Sequence, residues 1–290
     1  MIIDTNRRLN SRIDCLKSSN VATAVRYYAR ATSQPEKRLI RTEAEALVNA
    51  GISIAVVHQA GGASPDAFSS INGRKDAEHS FEYAIETIGQ PGGAAIYFAV
   101  DFDCDAANYS SRVLPHFKAI NMVATSGVYS RSYEIGAYGN GLVLSRLLDA
   151  GLCKYAWLSQ SLGHHESRQF KASGRWNLAQ KLPSSLCGIG VDVDDLNSAA
   201  NSFGDFSSLQ PITTALAAPV LVGRGSRFRT TASSGLRLRE GPGIQFSVIR
   251  LLPPDTVVAI LGTQDSWSIV DIDGDGLAEG AVASAFLGAL

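Results

Sequence analysis

Short apolar runs alternate with longer amphipathic stretches over residues 1–206. The runs are rich in β-branched and aromatic residues, which is typical of buried strands. Most stretches between them carry helix signals, such as a glycine directly after the last helical position. The pattern predicts strands at residues 1–4, 21–30, 52–58, 94–100, 125–129, 154–158, 175–180 and 186–193. It predicts helices ending near residue 18 and spanning residues 42–50, 73–88, 106–120 and 133–150.

Alternation of strands and helices implies parallel strands joined by helical crossovers. Eight such strands fit an irregular α/β barrel of the (β/α)8, TIM-like type better than an open doubly wound sheet. The last two strands have no long helix between them, so we expect the irregularity there. The sequence lacks both GxGxxG after the first strand and the GxxxxGK motif of phosphate-binding loops, so a nucleotide-binding open sheet loses its usual support.

The pattern changes after residue 206. Residues 207–226 are rich in Pro, Ala, Thr and Gly with little charge, which indicates a linker. Residues 227–290 consist of short strand-like runs separated by turn sequences, which predicts a small all-β barrel. Within it, residues 271–276 are similar to the start of a calcium-binding loop. Position twelve of that loop would be Val282 instead of Glu, and the flanking strands favour a hairpin turn.

Composition and charge narrow the range of functions. With 290 residues, 45% of them hydrophobic, the chain can bury a large core. A net charge of −1 with scattered Lys and Arg argues against nucleic-acid binding, which normally needs a basic stripe. No apolar run reaches the roughly 18 residues of a membrane span. Residues 1–4 show no secretory leader pattern. We therefore expect a protein that either works in the cytoplasm or is made there and acts in the periplasm or cell wall after leaderless export or lysis.

The cysteines give no sign of a metal site or a disulfide framework. All four are far apart in or beside apolar segments: Cys15, Cys104, Cys153 and Cys187. Because no CxxC pair exists, a structural zinc site is not expected. No cofactor is expected either. We predict buried free thiols. His164-His165-Glu166 is similar to the start of a zinc protease motif, but position 169 is Gln, so we predict an exposed loop.

Two aspartates directly follow the apolar run at residues 94–100. Asp101 and Asp103 are spaced i, i+2, so on an extended backbone both side chains point the same way. The carboxyl ends of barrel strands are where active sites are built. Capping of the next helix is the alternative use of such residues, and we prefer it for Asp105. The carboxylates predicted to meet at this end of the barrel are Asp4, Asp101, Asp103, Asp192 and Asp194.

A ring of carboxylates suits glycosidic bond cleavage. One protonated carboxyl donates to the leaving oxygen, and an ionised one stabilises the oxocarbenium ion or activates water. Crowding of like charges separates their pKa values, which supplies an acid and a base at one pH. Aromatic side chains of this region are of the type that stacks on sugars, with core packing as the alternative for each. The predicted substrate-binding residues are His58, Tyr97, Tyr129, Trp157, Trp176, Gln180 and Asp194.

Residues 1–206 resemble DUF1906, a glycoside-hydrolase-like domain related to the family 25 lysozymes, which are muramidases on an irregular barrel. The resemblance depends on the order and spacing of five segments: Asp4-Thr5-Asn6, residues 97–103, Gly127-Val128-Tyr129-Ser130, residues 176–180 and residues 190–194. It implies that the catalytic carboxylates are Asp4, Asp101, Asp103 and Asp192. Asp101 and Asp103 are expected to be the catalytic pair, with Asp4 and Asp192 holding charge and substrate. Where those lysozymes have a general-acid Glu, this chain has Asp103, one methylene shorter, which matters at catalytic tolerances. Either the site is adjusted for Asp103, or the scaffold binds glycan without cleaving it.

Residues 227–290 resemble a bacterial SH3 domain. The run at 236–243 is similar to its recurring signature with substitutions, and Trp267 and residues 281–287 fit the end of that barrel. The resemblance implies binding to cell-wall peptides, with a spacer or a protein interface as the alternative.

Together, the two resemblances imply a peptidoglycan-degrading glycoside hydrolase of the muramidase type that its SH3-like module directs to the wall. Its expected partners are peptidoglycan glycan strands and stem peptides. Without a leader, a phage lysin or an injected antibacterial effector is favoured, and an effector would need an immunity protein. A non-catalytic glycan-binding protein is the alternative. A wall amidase or peptidase has no Cys–His or zinc constellation to support it.

Overall fold

The first eight strands close into a barrel with helices around it, which confirms the predicted fold class. The computed structural model describes residues 1–59, 64–215, 226–274 and 278–290. The barrel strands are β1 (Ile2–Asp4), β2 (Thr23–Tyr28), β3 (Ser53–His58), β4 (Ala95–Ala99), β5 (Glu134–Gly139), β6 (Tyr155–Leu158), β7 (Leu178–Leu186) and β8 (Ile189–Leu196). The helices are α1 (Ile13–Ser18), α2 (Arg41–Asn49), α3 (Ser70–Glu82), α4 (Ala106–Asn108), α5 (Leu114–Ala124), α6 (Gly141–Asp149) and α7 (Ser167–Ser173).

Some helical segments are wider or tighter than an α-helix. Tyr83–Ile88 continues α3 and Tyr109–Val113 precedes α5, both with π-helical turns. Short 3₁₀ turns occur at Asn10–Arg12, Pro35–Lys37, Pro65–Ala67 and Ser284–Phe286.

The barrel closes through a reversed strand, so the prediction of parallel strands throughout is wrong at this point. β8 pairs antiparallel with both β7 and β1. β7 and β8 form a hairpin whose turn residues, Cys187 and Gly188, have φ of 52° and 75°. Two positive φ values are what a two-residue hairpin turn requires. The reversal brings Asp192 directly opposite Asp4.

The prediction of the fifth strand is also wrong. Residues 125–129 lie in the connection after α5, and β5 occupies part of the predicted helix at 133–150. Gly136 in β5 faces the Tyr97 ring so closely that a Cβ at this position would lie 2.5 Å from a ring carbon. Glycine lowers strand propensity. The close contact between β4 and β5 therefore accounts for a strand at Gly136, although glycine disfavours strands.

The barrel has an inner and an outer apolar layer because side chains on a strand alternate between its two faces. The inner layer includes Ile2, Val25, Val57, Tyr97 and Trp157. The outer layer packs the other face of each strand against the helices. Burial of both layers supplies most of the stabilisation of the barrel.

A disulfide joins Cys15 in α1 to Cys187 in the hairpin turn. The prediction that all four cysteines are free thiols is therefore wrong for these two, whereas Cys104 and Cys153 are free and buried. The two bonded residues are 172 positions apart, yet their Cα atoms lie 5.9 Å apart. Only the closure of the barrel creates this proximity, so spacing along the chain does not reveal it.

The predicted linker at 207–226 begins along the barrel. Gln210 donates its backbone N–H to the Gly89 carbonyl at 2.7 Å, and Ala215 donates its backbone N–H to Glu86 at 2.8 Å. Ala215 is itself buried. Residues 216–225 of the predicted linker lie outside the described residues.

The C-terminal region contains a seven-stranded sheet with its own apolar core. Its strands are β9 (Arg227–Thr230), β10 (Leu236–Arg239), β11 (Val248–Leu252), β12 (Val257–Gln264), β13 (Trp267–Asp271), β14 (Gly280–Ala283) and β15 (Leu287–Ala289). β13 and β14 pair antiparallel, as the predicted hairpin requires. Residues 275–277, within the calcium-loop-like run, lie outside the described residues.

In the part of the chain that the structure describes, Ser70 and Arg74 of α3 contact this region. Ser70 donates its hydroxyl to the Glu240 carbonyl, and Arg74 pairs with Glu279 at 2.5 Å. Because α3 follows the connection that leaves the carboxyl end of β3, the small domain contacts the barrel near that end.

Candidate active site

The carboxyl end of the barrel has a polar layer above its apolar interior. In β1 and β2, the inward positions change from Ile2 and Val25 to the polar Asp4 and Tyr27. Hydrogen bonds connect the members of the layer, which are Asp4, Tyr27, Tyr138, Gln180 and Asp192. They come from five strands, so closure of the barrel is what assembles them.

A buried ion pair anchors the chain directly after Asp4. Arg26, on the outward face of β2, donates to Glu43 at 2.9 Å, and both side chains are fully buried. Arg26 also donates to the Thr5 carbonyl. Arg26 thereby fixes the end of β1 against β2 and α2.

Asp4 is a buried carboxyl that holds its proton unusually well. It is 2% exposed; its Oδ1 accepts from the Tyr27 hydroxyl at 3.1 Å and its Oδ2 from Gln180 at 2.8 Å. Burial raises the pKa of Asp4 to about 7, with smaller contributions from the charges of Asp192 and Asp101, and the two hydrogen bonds oppose the rise. Asp4 therefore exchanges its proton near neutral pH.

Gln180 connects Asp4 with Asp192. Its Nε2 also donates to Oδ2 of Asp192 at 3.2 Å, and its Oε1 accepts from the Tyr138 hydroxyl at 2.9 Å. Burial raises the pKa of Asp192 as well. Two carboxyls with raised pKa values thus share one amide group, an arrangement that separates acid from base.

Asp194 lies deeper, beneath this layer. Its Oδ1 accepts from Trp157 at 2.6 Å, while its buried Oδ2 has no hydrogen-bond partner among the described residues. Burial, helped by Asp4, raises the pKa of Asp194 well above its usual range. Tyr97 is buried and donates its hydroxyl to the Phe203 carbonyl at 2.7 Å. Asp194, Trp157 and Tyr97 therefore form the floor of the site.

Asp101 is exposed at the mouth of the barrel. Gln59 donates to its Oδ2 at 3.0 Å, and Lys37 donates to Gln59 at 2.6 Å. Lys37 also lies 4.6 Å from the centre of the Tyr27 ring, which places this chain of contacts beside the polar layer. β4 lies across the barrel from β8, and the charge of Asp101 contributes to the raised pKa of Asp4.

Asp103 has a separate set of partners. Its Oδ1 accepts from the His165 backbone N–H at 2.8 Å and from Asn140 at 3.1 Å, and it pairs with the His165 ring at 2.8 Å. Burial pushes the pKa of Asp103 upward, but these hydrogen bonds outweigh it and lower the pKa to about 2. β4 ends at Ala99, so the extended backbone that predicts a common direction for Asp101 and Asp103 does not continue through them.

We expect Asp103→Asn to change any release of reducing ends by no more than about tenfold, because an ionised group with a structural role is not the proton donor. The same substitution should move the pKa of His165, which Asp103 raises, back toward its ordinary value. Reducing-end release and the NMR titration of His165 measure the two effects. A loss beyond about a hundredfold would instead support the general-acid role that the lysozyme resemblance implies.

Three predicted substrate-binding residues lie neither in the polar layer nor in the floor beneath it. His58 points outward, where its Nε2 lies 3.1 Å from Asp76 of α3. Tyr129 lies in the connection before β5 and packs on Phe81. Trp176 precedes β7 and donates to the Lys171 carbonyl at 3.0 Å. The last two are at the amino ends of their strands, opposite the mouth.

Tyr27, Gln59 and Tyr138 also belong to the site, although the sequence prediction does not include them. Tyr27 could be predicted from the alternation of inward positions in β2, since it lies two residues after the inward Val25. Tyr138 lies in β5, whereas the sequence pattern predicts the fifth strand at residues 125–129. Among the described residues, no cluster of three or more His, Cys, Asp or Glu could hold a metal ion, and no helix is long and apolar enough to cross a membrane.

The closed barrel with carboxyl and tyrosine side chains at its mouth agrees with a protein of the glycoside-hydrolase-like class, which the family model shows. A family model described as "Rv2525c-like, glycoside hydrolase-like domain" matches residues 14–198. The chain belongs to this family. A second model, the bacterial SH3 domain, matches residues 234–288, so both resemblances inferred from the sequence are confirmed.

Similar proteins come from Bacillus subtilis and Mycobacterium tuberculosis. Two uncharacterized B. subtilis proteins are similar: YbfG is 31% identical over 160 residues, and FadG is 28% identical over 151 residues. Each match covers 52% of this chain but only 22% and 26% of the respective relative. The crystal structure of the M. tuberculosis Tat-secreted protein Rv2525c in complex with HEPES has a TM-score of 0.58 at 20% identity. That match covers 70% of this chain and 97% of Rv2525c, and it supports the barrel fold.

Proposed function

We propose that this protein is a glycoside hydrolase that cleaves the glycan strands of peptidoglycan. The observation that carries the proposal is the buried Asp4, with a pKa raised to about 7, beside Asp192 and across from the exposed Asp101. A glycosidase needs one protonated and one ionised carboxyl on opposite sides of the bond it cuts. The glycoside-hydrolase-like family and the SH3 module support a role at the cell wall.

In this proposal, the Asp4–Asp192 pair supplies the proton. Asp192 is half-buried at the mouth and donates to the glycosidic oxygen as the carbon–oxygen bond breaks. Asp4, beneath it, shares the Gln180 amide and keeps a proton in the pair at neutral pH. Asp101 stabilises the oxocarbenium ion or takes a proton from the attacking water. The products are a leaving alcohol and a new reducing end.

Digestion of purified peptidoglycan, followed by mass spectrometry of the soluble products, tests the proposal. We expect fragments with new reducing ends from the wild type and none from Asp101→Asn or Asp192→Asn. Asp14→Asn, an exposed aspartate of α1, is the matched control and should leave digestion unchanged. Intact glycan chains with cut peptides would contradict the proposal.

A non-catalytic glycan-binding protein is the second candidate function. The observation in its favour is Asp103, which occupies the position of the lysozyme general acid but is held by His165 and Asn140. Co-sedimentation with peptidoglycan in the absence of any released product would support this candidate and overturn the first.

We also propose that the SH3 module directs the protein to the wall. Its apolar core is separate from the two layers of the barrel, so removal of residues 227–290 should leave the barrel folded. We expect the truncated protein to sediment less with intact sacculi but to cleave soluble glycan fragments at the rate of the full chain. Unchanged sedimentation would contradict the targeting role.

The proposed place of action is outside the cytoplasm. The Cys15–Cys187 disulfide supports this, because disulfides persist in oxidising compartments. The similar M. tuberculosis protein is described as Tat-secreted, which agrees with export. Both a lysin and an antibacterial effector would reach the cell wall outside the cytoplasm. Only an effector would require an immunity protein as a partner.

A further inference from the structure

Lys37 is a cation at the mouth of the barrel, and none of the roles proposed above uses it. Its side chain is half-buried. The Nζ atom donates to Oε1 of Gln59 at 2.6 Å and lies 4.6 Å from the centre of the Tyr27 ring. Withdrawal of an ammonium group from water is unfavourable unless other contacts offset it. Lys37 therefore has fixed contacts that a solvated surface lysine lacks.

The connection between β2 and α2, which carries Lys37, is bound to the barrel on both sides of this residue. On one side, the fully buried Arg26 donates to the Glu36 carbonyl at 2.8 Å. On the other side, Leu39 donates its backbone N–H to the Tyr27 carbonyl at 3.0 Å. The backbone at Lys37 is therefore fixed to β2, which determines where its side chain begins.

The contacts of Lys37 lead to one carboxylate of the site. Nε2 of Gln59 donates to Oδ2 of Asp101 at 3.0 Å, so a single amide connects the lysine with this carboxylate. Burial lowers the pKa of Lys37, and the charge of Asp101 opposes this effect. Because the attraction between two charges is mutual, Lys37 also stabilises the carboxylate of Asp101.

Other charged side chains next to Lys37 in the chain have partners of their own. Glu36 pairs with Arg7 at 2.9 Å. Arg38 donates to the Arg30 carbonyl at 2.9 Å. These contacts lead away from the carboxyls of the site, whereas the contacts of Lys37 lead toward them.

The two sides of the site therefore differ in their partners. Asp101 is connected to the cation Lys37 through one amide. The hydrogen-bond donors to Asp4 are the neutral groups of Tyr27 and Gln180. A neighbouring cation favours the ionised form of a carboxyl, whereas burial favours the protonated form. This difference suits a pair of carboxyls of which one is ionised and the other holds a proton.

We propose that Lys37 is a positioning residue for Asp101. Through the Gln59 amide it fixes the direction of the Asp101 carboxylate, and its charge stabilises the ionised form. Lys37 acts through Asp101 and needs no contact with the substrate. The inference rests on the proposed function and deepens it, because it assigns the group that keeps the second carboxyl ionised and in place. Close positioning matters, since a misplacement of about 1 Å can cost about a hundredfold in rate.

Replacement of Lys37 in the full-length protein tests the effect on the rate. Lys37→Met keeps the apolar part of the side chain but removes the charge and the donor. For soluble peptidoglycan fragments, we expect kcat to fall about tenfold while KM stays within about twofold. Lys37→Arg should restore most of the rate, because it keeps the charge and a donor. Lys118→Met, at an exposed lysine of α5, is the matched control and should change nothing.

A double variant tests whether Lys37 acts through Gln59. We expect Gln59→Leu alone to lower kcat about as much as Lys37→Met. The two substitutions together should cost no more than either one, since both break the same chain of contacts. Independent effects would multiply to a loss of about a hundredfold, which would overturn the proposed route.

NMR titration of the Lys37 side chain gives a readout that does not depend on cleavage. In the wild type, the pKa of Lys37 should lie below its usual 10.5. Asp101→Asn removes the charge that raises it, so the pKa of Lys37 should fall further. Asp14→Asn, at an exposed aspartate of α1, should leave this pKa unchanged. An unchanged pKa in Asp101→Asn would overturn the proposal.

The two measurements separate this proposal from the proposed function. A shifted Lys37 titration together with a lower kcat supports both. A shifted titration without any digestion by the wild type would overturn the hydrolase but support the coupling of Lys37 to Asp101. Digestion by Lys37→Met at the wild-type rate would overturn the positioning role alone.

Discussion

Asp4→Asn should lower the release of reducing ends by about 10² to 10⁴-fold, the range for loss of acid catalysis. The substitution keeps the shape of the side chain and an oxygen that accepts from Tyr27, whereas its Nδ2 replaces the oxygen that accepts from Gln180. It removes the proton that the Asp4–Asp192 pair exchanges near pH 7. Peptidoglycan digestion at neutral pH measures the loss, with Asp14→Asn as the control.

The same variant should be more stable than the wild type at pH 8. The pKa of Asp4 is raised in the folded protein, so the folded state keeps a proton that the unfolded state has lost. Wild-type stability therefore falls as pH rises from about 4 to about 7, by an amount on the order of 4 kcal/mol. Asn carries no charge and escapes this loss, and near pH 4 the difference should vanish. A variant that is less stable than the wild type at pH 8 would show that the ionised Asp4 is favourably paired and that its pKa is not raised.

Removal of the disulfide by Cys15→Ser with Cys187→Ser should lower the free energy of unfolding by about 2 to 5 kcal/mol. The bond closes most of the barrel into one loop and ties the β7–β8 hairpin to α1. Urea denaturation measures the change. A reducing agent should produce the same loss in the wild type and no further loss in the double variant.

Thiol titration in denaturant without reductant checks the pairing independently. Two reactive thiols are expected, from Cys104 and Cys153. Four reactive thiols would show that the bond is absent. Because β8 carries Asp192, we also expect reduction to loosen the position of this residue.

The hydrophobic pattern of the sequence predicts correctly those strands that form from a local apolar run. The apolar runs locate β1, β3, β4 and β6, and Asp4 and Asp101 lie at strand ends as predicted. The prediction is wrong where a contact between residues far apart in the sequence determines the secondary structure. Gly136 belongs to a strand because it accommodates the Tyr97 ring, which no propensity encodes.

The partners and pKa values of the site carboxyls also depend on contacts that form only in the folded barrel. The spacing of Asp101 and Asp103 predicts a common direction, but β4 ends before them, and His165 and Asn140 hold Asp103. Asp192 meets Asp4 because β8 runs in reverse. The raised pKa of Asp4 follows from its burial in the closed barrel. A sequence can indicate which carboxyls meet, but their pKa values follow from the structure.

The pH dependence of reducing-end release from purified peptidoglycan tests the central claim most directly. If the Asp4–Asp192 pair donates the proton, wild-type activity should fall on an alkaline limb with an apparent pKa near 7. Activity that stays constant to about pH 9 would contradict the assignment of the proton donor, since the pair would then be ionised. No release at any pH would contradict the hydrolase itself and favour the glycan-binding protein.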